Sequence, residues 1–310
     1  MSKLHVSAAP HIHSGASTNR IMLDVVIAML PAAAAAVVIF GLKALWVILT
    51  CVISAVLSEF LFNLAVHKKQ TIGDFSAVVT GLLLALNLST NVPLWQCAVG
   101  SVFAIVVVKC FFGGLGKNIV NPAITARVFM LLSFSAVAGG AAPTIVELAS
   151  SATPLETLNQ GVEMAKSVSL MDLFLGTHGG AIGETCVVAL LVGFAYLVLR
   201  KVIKWYVPMA FIATVFLCYF CFTLDVTYAL QQVLAGGLVL GAVFMVTDYV
   251  TTPATPWGRV IFCVGCGLLT FLIRQFGSYP EGVSISILAM NLLVPFIEKW
   301  TTRKTLGGIK

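Results

Sequence analysis

Long apolar runs alternate with short polar breaks along most of this chain, and the runs are of membrane-crossing length. They fall at about 21–40, 45–66, 75–91, 94–112, 122–138, 182–199, 205–223, 229–247, 260–275 and 282–298. A helix needs roughly 20 mostly apolar residues to cross about 30 Å of hydrocarbon. The pattern therefore predicts an all-α membrane protein of about ten transmembrane helices. One long polar stretch, 139–181, interrupts it and separates five spans from five.

An odd number of spans per half makes the second half enter the membrane from the opposite face, the inverted-repeat plan of many transporters. Weak internal similarity points the same way. Gly81-Leu82-Leu83-Leu84 leads to Pro93, and Gly237-Leu238-Val239-Leu240 leads to Pro253, with the two prolines 160 positions apart. Gly116 and Gly277, each just before the last span of its half, are 161 apart, as are the starts of the first spans. The expected organisation is a cytoplasmic N-terminal segment (1–20), a first five-helix repeat (21–138), an extracytoplasmic loop (139–181), a second repeat (182–298) and a cytoplasmic tail (299–310).

Composition agrees with the pattern. Of 310 residues, 59% are hydrophobic and 10% charged, and the mean hydropathy is +1.03; soluble domains carry about 25% charged residues. No apolar signal region precedes the first run, so that run is expected to be retained. The net charge of +6 does not indicate a nucleic-acid partner, because the basic residues are scattered among short loops. With the N-terminus inside, all Lys and Arg except Lys43, Lys166 and Arg274 fall on the cytoplasmic side, as the positive-inside rule requires. The eight cysteines lie in or at the ends of apolar runs. Cys218/Cys221 and Cys263/Cys266 have metal-site spacing, but with no third or fourth ligand nearby they read as small apolar fillers, and no metal is expected.

Two segments look like interrupted helices. One, Gly113 to Pro122, opens the fifth span, and the other, Thr247 to Pro253, closes the eighth. Freed backbone groups at membrane depth need protein or a polar cavity beside them. A helix starting at Pro122 aims its first amides at Asn118 and Asn121, which suits a polar or anionic group; an ordinary cytoplasmic loop with Pro at the first helical position fits equally. Acids inside a membrane tend to mark ion paths. Asp24, Asp74 and Glu184 are close enough to span ends to be interfacial, which leaves Asp248 and Glu59 as candidates for an ion path.

The outer stretch contains Glu147-Leu148-Ala149-Ser150-Ser151-Ala152-Thr153-Pro154-Leu155-Glu156-Thr157. Such hydroxyl-rich turns are usually solvated connectors, and a hydroxyl here is also a possible acceptor for a phosphoryl-linked group. No His or Asp is spaced to activate it, so another enzyme would have to modify it. No catalytic residue is assigned.

Together with Asn121-Pro122-Ala123-Ile124-Thr125-Ala126-Arg127, Phe244-Met245-Val246-Thr247-Asp248 and the opening Ser7-Ala8-Ala9-Pro10-His11, this loop makes the whole chain resemble the RnfD family. These are membrane subunits of bacterial Rnf ion-translocating ferredoxin:NAD oxidoreductase complexes, similar to the B subunit of the Na+-translocating NADH:quinone oxidoreductase. The resemblance implies covalent FMN, joined by a phosphoester to the Thr of a D-x-x-S/T-G-A-T/S motif. On this sequence that Thr is Thr153, with Glu147 in place of the Asp and Ser151 in place of the Gly. It implies a second, non-covalent flavin (riboflavin) near Asn118, Asn121 and Pro122, with Thr125 and Arg127 as further contacts. It also implies a bacterial inner-membrane location with 139–181 outside, partners among Rnf-type subunits A, B, C, E and G, a flavin transferase for maturation, and an electron relay coupled to Na+ or H+. The competing expectation is a non-redox transporter or channel of urea-transporter-like architecture, which would leave Thr153 unmodified.

Overall fold

The computed structural model describes residues 17–134, 153–159, 161–165, 168–176, 178–277 and 281–302. The sequence features at residues 1–16, at 135–152 (with Glu147, Ser150, Ser151 and Ala152) and at 303–310 lie outside these. Every extended element among the described residues is helical. In chain order they are α1 (Thr18–Phe40), α2 (Leu42–Ala65), α3 (Ser76–Leu86), α4 (Leu94–Cys110) and α5 (Pro122–Ser133). There follow the short α6 (Pro154–Asn159), α7 (Val162–Ala165) and α8 (Leu170–Leu175), then α9 (Val187–Leu199), α10 (Tyr206–Thr223), α11 (Val226–Leu234), α12 (Leu238–Met245), α13 (Pro256–Phe276) and α14 (Val283–Thr301).

Five helices, α1, α2, α10, α13 and α14, are long and apolar enough to cross a membrane, and α11 with α12, bent by 67° at their break, reaches that length and apolarity only when the pair is taken together. The chain is a multi-pass membrane protein. The other four expected spans are apolar helices of 10–17 residues, shorter than their hydrophobic runs. Helix α3 stops at Leu86, where the Asn87 side chain donates back to the Leu83 carbonyl at 2.6 Å. Helix α5 starts at Pro122, with Asn121 as its cap.

Large apolar side chains such as Leu57, Leu61, Leu199 and Phe276 face outward, as a lipid-facing surface requires. All five tryptophans, Trp46, Trp95, Trp205, Trp257 and Trp300, are exposed and lie near helix ends, where amphipathic rings favour the membrane interface. Helix α1 packs on α9 and α5 packs on α14, so the first and last helices of the two halves meet across the molecule. A Cβ on Gly193 would run into the Ala28 carbonyl, so glycine lets α1 and α9 approach closely.

Not every charge counted by sequence lies in a loop. Lys109 and Arg127, assigned to the cytoplasmic side, and Arg274, assigned to the outer side, are buried. Their side chains are held by protein partners, so none of the three reports on topology. Removing them from the count leaves Lys43 and Lys166 as the cations it assigns to the outer side and keeps its asymmetry.

Candidate functional site

The two interrupted segments fold against each other. In the first, Gly113, Gly114 and Gly116 take positive φ values of 111°, 94° and 87°, turning the chain out of α4. Asn121 then caps α5, its Oδ1 accepting from the amides of Ala123 and Ile124 at 3.0 and 3.3 Å. In the second, Asp248 folds the chain back on itself. Its Oδ2 accepts from the Thr251 hydroxyl at 2.9 Å, and its carbonyl accepts from the Thr252 hydroxyl. Asn291 on α14 joins the two breaks: its amide donates to the Thr251 carbonyl at 3.0 Å and accepts from the Asn121 N–H at 3.2 Å. That orientation is assigned from the hydrogen bonds, since amide O and N are set by the network they satisfy.

Between the breaks lies a pocket of about 80 Å³. Asn118, Asn121 and Pro122 line it from one break, and Thr247, Asp248 and Tyr249 from the other; Ile21, Val25, Ser76, Lys109 and Phe244 complete it. Thus Asn118, Asn121 and Asp248, chosen separately from sequence, come together. The Asn118 Oδ1 is buried without a hydrogen-bond partner, which leaves an acceptor for a ligand. Thr125 and Arg127 are engaged elsewhere: the Thr125 hydroxyl donates to the Asn121 carbonyl at 2.7 Å, and Arg127 pairs with Glu281.

Lys109 is the residue that sequence reasoning missed. It is 1% exposed and donates to Glu59 Oε1 at 2.8 Å and to Ser76 Oγ at 2.6 Å. Glu59 Oε1 also accepts from the Thr71 hydroxyl at 2.6 Å, while Oε2 has no partner. Ser76 in turn donates to Asp74. One signal was available in principle: a lone Lys inside an apolar run, 50 positions after a lone Glu inside another. The local backbone is π-helical over Phe103–Cys110 and again over Gly241–Met245. Single π turns recur at functional sites because they re-aim side chains, and these two supply Lys109 and Phe244 to the pocket.

A second polar region surrounds Thr153. Its hydroxyl accepts from the Glu156 amide at 3.1 Å, and Glu156 Oε2 accepts from the Thr153 amide at 3.0 Å. This reciprocal capping box starts α6 and fixes the half-buried hydroxyl. The segment docks on α11 through three side chains. Tyr228 donates to the Leu158 carbonyl at 3.1 Å, Gln231 to the carbonyls of Ala165 and Val168 at 3.0 and 2.7 Å, and Gln232 to Asn159 Oδ1 at 3.3 Å.

Beneath the segment is the bend between α11 and α12. Gly236 has a φ of +70°, and a Cβ there would lie 2.9 Å from Leu155 Cδ2, so glycine serves both the turn and the close contact. Two carbonyls freed by the bend are satisfied by Arg274, which donates to Gln232 O at 2.6 Å and Ala235 O at 3.2 Å, and it also donates to Glu281 O at 3.1 Å. Arg127 on α5 pairs with Glu281 at 2.9 Å. Glu184 accepts from the Ala181 amide at 2.8 Å.

Residues 5–307 match the NQR2, RnfD, RnfE family. The chain belongs to this family. Its relatives within the family match from end to end. It is 44% identical over 310 residues to the D subunit of the Na+-translocating ferredoxin:NAD+ oxidoreductase complex of Acetobacterium woodii, covering 99% of this chain and 96% of that one. It is 40% identical over 319 residues to the D subunit of the proton-translocating ferredoxin:NAD+ oxidoreductase complex of Clostridium ljungdahlii, covering 97% and 96%. The D subunit of the ion-translocating oxidoreductase complex of Escherichia coli is 34% identical over 348 residues, covering 98% and 99%.

Proposed function

We propose that this chain is the flavin-carrying membrane subunit of a multi-subunit complex that passes electrons between ferredoxin and NAD and couples that flow to Na+ or H+ movement. The observation that carries the proposal is the end-to-end match, at 44% identity, to a relative named for that activity. The relatives' names favour this reading over the non-redox channel. The other subunits of such a complex are its partners, with a flavin transferase for maturation. It sits in the bacterial inner membrane with both termini in the cytoplasm and 139–181 on the outer face. Packing of α1 on α9 and of α5 on α14 supports two inverted five-helix repeats.

Two sites on this chain suit flavins. Thr153 offers a hydroxyl held at the start of a docked helix, and FMN is carried there as a phosphoester. The pocket of Asn118 and Asn121 offers an unpartnered acceptor that fits the polar edge of a second, non-covalent flavin; Asn amides can both donate and accept. A bound flavin supplies one- and two-electron chemistry, while the protein supplies position and electrostatics. Helix α12 connects the sites. It begins just after Gly236, under the Thr153 segment, and Phe244 near its end lines the pocket. Asp248, at the pocket rim, and Glu59, behind Lys109, are the acids proposed for ion coupling.

The test is direct. Chain from cells containing the transferase, denatured on a gel, is expected to fluoresce under ultraviolet light, and Thr153→Ala to be dark. A dark wild-type band would overturn the covalent flavin. For ion coupling, Asp248→Asn is expected to depress redox-driven Na+ or H+ uptake in vesicles, and unchanged uptake would remove Asp248 from the path.

A further inference from the structure

We propose that Lys109 is a ligand-binding residue of the pocket, giving its third N–H to the acceptor edge of the bound molecule and setting a fixed positive charge against the electrons that molecule accepts. This rests on the reading above that the pocket holds a non-covalent flavin.

An ammonium carries three donors and no acceptor. Two of those on Lys109 are spent, on Glu59 and Ser76. Lys109 nevertheless lines the pocket, although at 1% exposure it is closed to bulk water. On this proposal the third donor goes to the pocket that the residue lines. Burying a lysine is costly unless it is paired and hydrogen-bonded, and a structural ion pair alone would not need to open onto a cavity. The Glu59 partnership explains how the charge is tolerated; the pocket explains where it acts. Asn118 Oδ1, also unpartnered, lines the same cavity. A ligand with both donors and acceptors on one polar edge satisfies Asn118 and Lys109 together, and the ring N–H and carbonyls of an isoalloxazine are such an edge. A full positive charge in a water-poor site favours whichever form of the ligand is more negative, so Lys109 raises the affinity of the pocket for the electron-loaded form. Glu59, on the far side of the ammonium, orients it and acts only through it.

The experiment uses the assembled complex with riboflavin as probe. Denaturation releases non-covalent flavin while FMN stays on the chain, so the two are counted separately. Lys109→Met combined with Glu59→Gln removes both charges, so neither is left buried and unpaired; retained FMN fluorescence on the gel reports that the chain has folded and matured. The double variant is expected to bind riboflavin at least about tenfold more weakly, the usual loss for a hydrogen bond to a charged group, and to lower the midpoint potential of what remains. Lys109→Arg keeps the charge and is expected to keep most of the binding. Glu59→Gln alone leaves Lys109 charged and is expected to bind riboflavin at least as well as wild type. Wild-type affinity and potential in the double variant, or equal losses in Glu59→Gln and Lys109→Met, would overturn the ligand role of Lys109. Wild-type complex without any releasable flavin would instead overturn the second-flavin reading, and this inference with it.

Discussion

Arg127 on α5 and Glu281 at the foot of α14 pair at 2.9 Å across 154 positions of sequence. The pair ties the last helix of the first half to the last helix of the second, and Arg274 binds the main chain of the same glutamate. Removing one partner of a largely buried pair leaves an uncompensated charge, while removing both need not. Arg127→Met is expected to cost about 3 kcal/mol, and Arg127→Met with Glu281→Gln to recover most of it. Thermal unfolding in detergent would show this. A double variant as unstable as the single would mean that something other than the pair holds the halves.

Asn291 makes a comparable tie with a neutral side chain. In Asn291→Leu the Thr251 carbonyl and the Asn121 amide both lose their partner, at about 1–3 kcal/mol for each group left buried and unsatisfied. Because the two groups belong to the breaks that shape the pocket, releasable riboflavin is expected to fall along with the unfolding temperature. Loss of stability with full riboflavin binding would separate the tie from the pocket.

Arg274 satisfies three carbonyls at once, two of them at the bend between α11 and α12. Arg274→Met is expected to raise hydrogen exchange over 226–238 and in the docked segment 153–159. Arg274→Lys should not rescue it, because a point-like ammonium cannot reproduce the planar fork of a guanidinium. Wild-type protection in Arg274→Met would show that the bend is held by packing alone.

Thr153 has two roles that substitutions can separate. Thr153→Ser keeps the cap and the acceptor hydroxyl, so in-gel flavin fluorescence should survive. Glu156→Ala loses one half of the capping box, at about 1 kcal/mol or less, and should remain fluorescent. Thr153→Ala loses the cap as well as the flavin. Fluorescence that followed helix stability across the three variants, rather than the hydroxyl, would argue against attachment at Thr153.

The apolar runs and the two breaks were legible in the sequence, because hydropathy and Gly or Pro placement are local signals. So was the separate choice of Asn118 and Asn121 and of Asp248 as residues of interest, although nothing in the sequence said that they face one cavity. Helix lengths were less legible. The run 75–91 reads as one span, yet α3 ends at Leu86 because the amide of Asn87 competes for a backbone carbonyl. Lys109 was misread for the same reason as Arg274. A basic residue near the end of an apolar run looks like a loop charge until its partners are known, and Glu59 is 50 positions away. Thr125 and Arg127 sit in the same motif as Asn121, but one bonds its own helix and the other crosses to Glu281.

The π-helical stretch at Phe103–Cys110 gives α4 an unusual sensitivity to counting. Its backbone bonds reach five residues back, as from the Phe111 amide to the Val106 carbonyl at 3.1 Å. Deleting one residue there would restore the ordinary four-residue ladder and rotate one part of the helix against the other by about 100°. The run would be as apolar as before and would still enter a bilayer, but Lys109 would turn away from Glu59, Ser76 and the pocket together. Insertion depends on what this helix is made of, whereas its place in the pocket depends on how many residues it has.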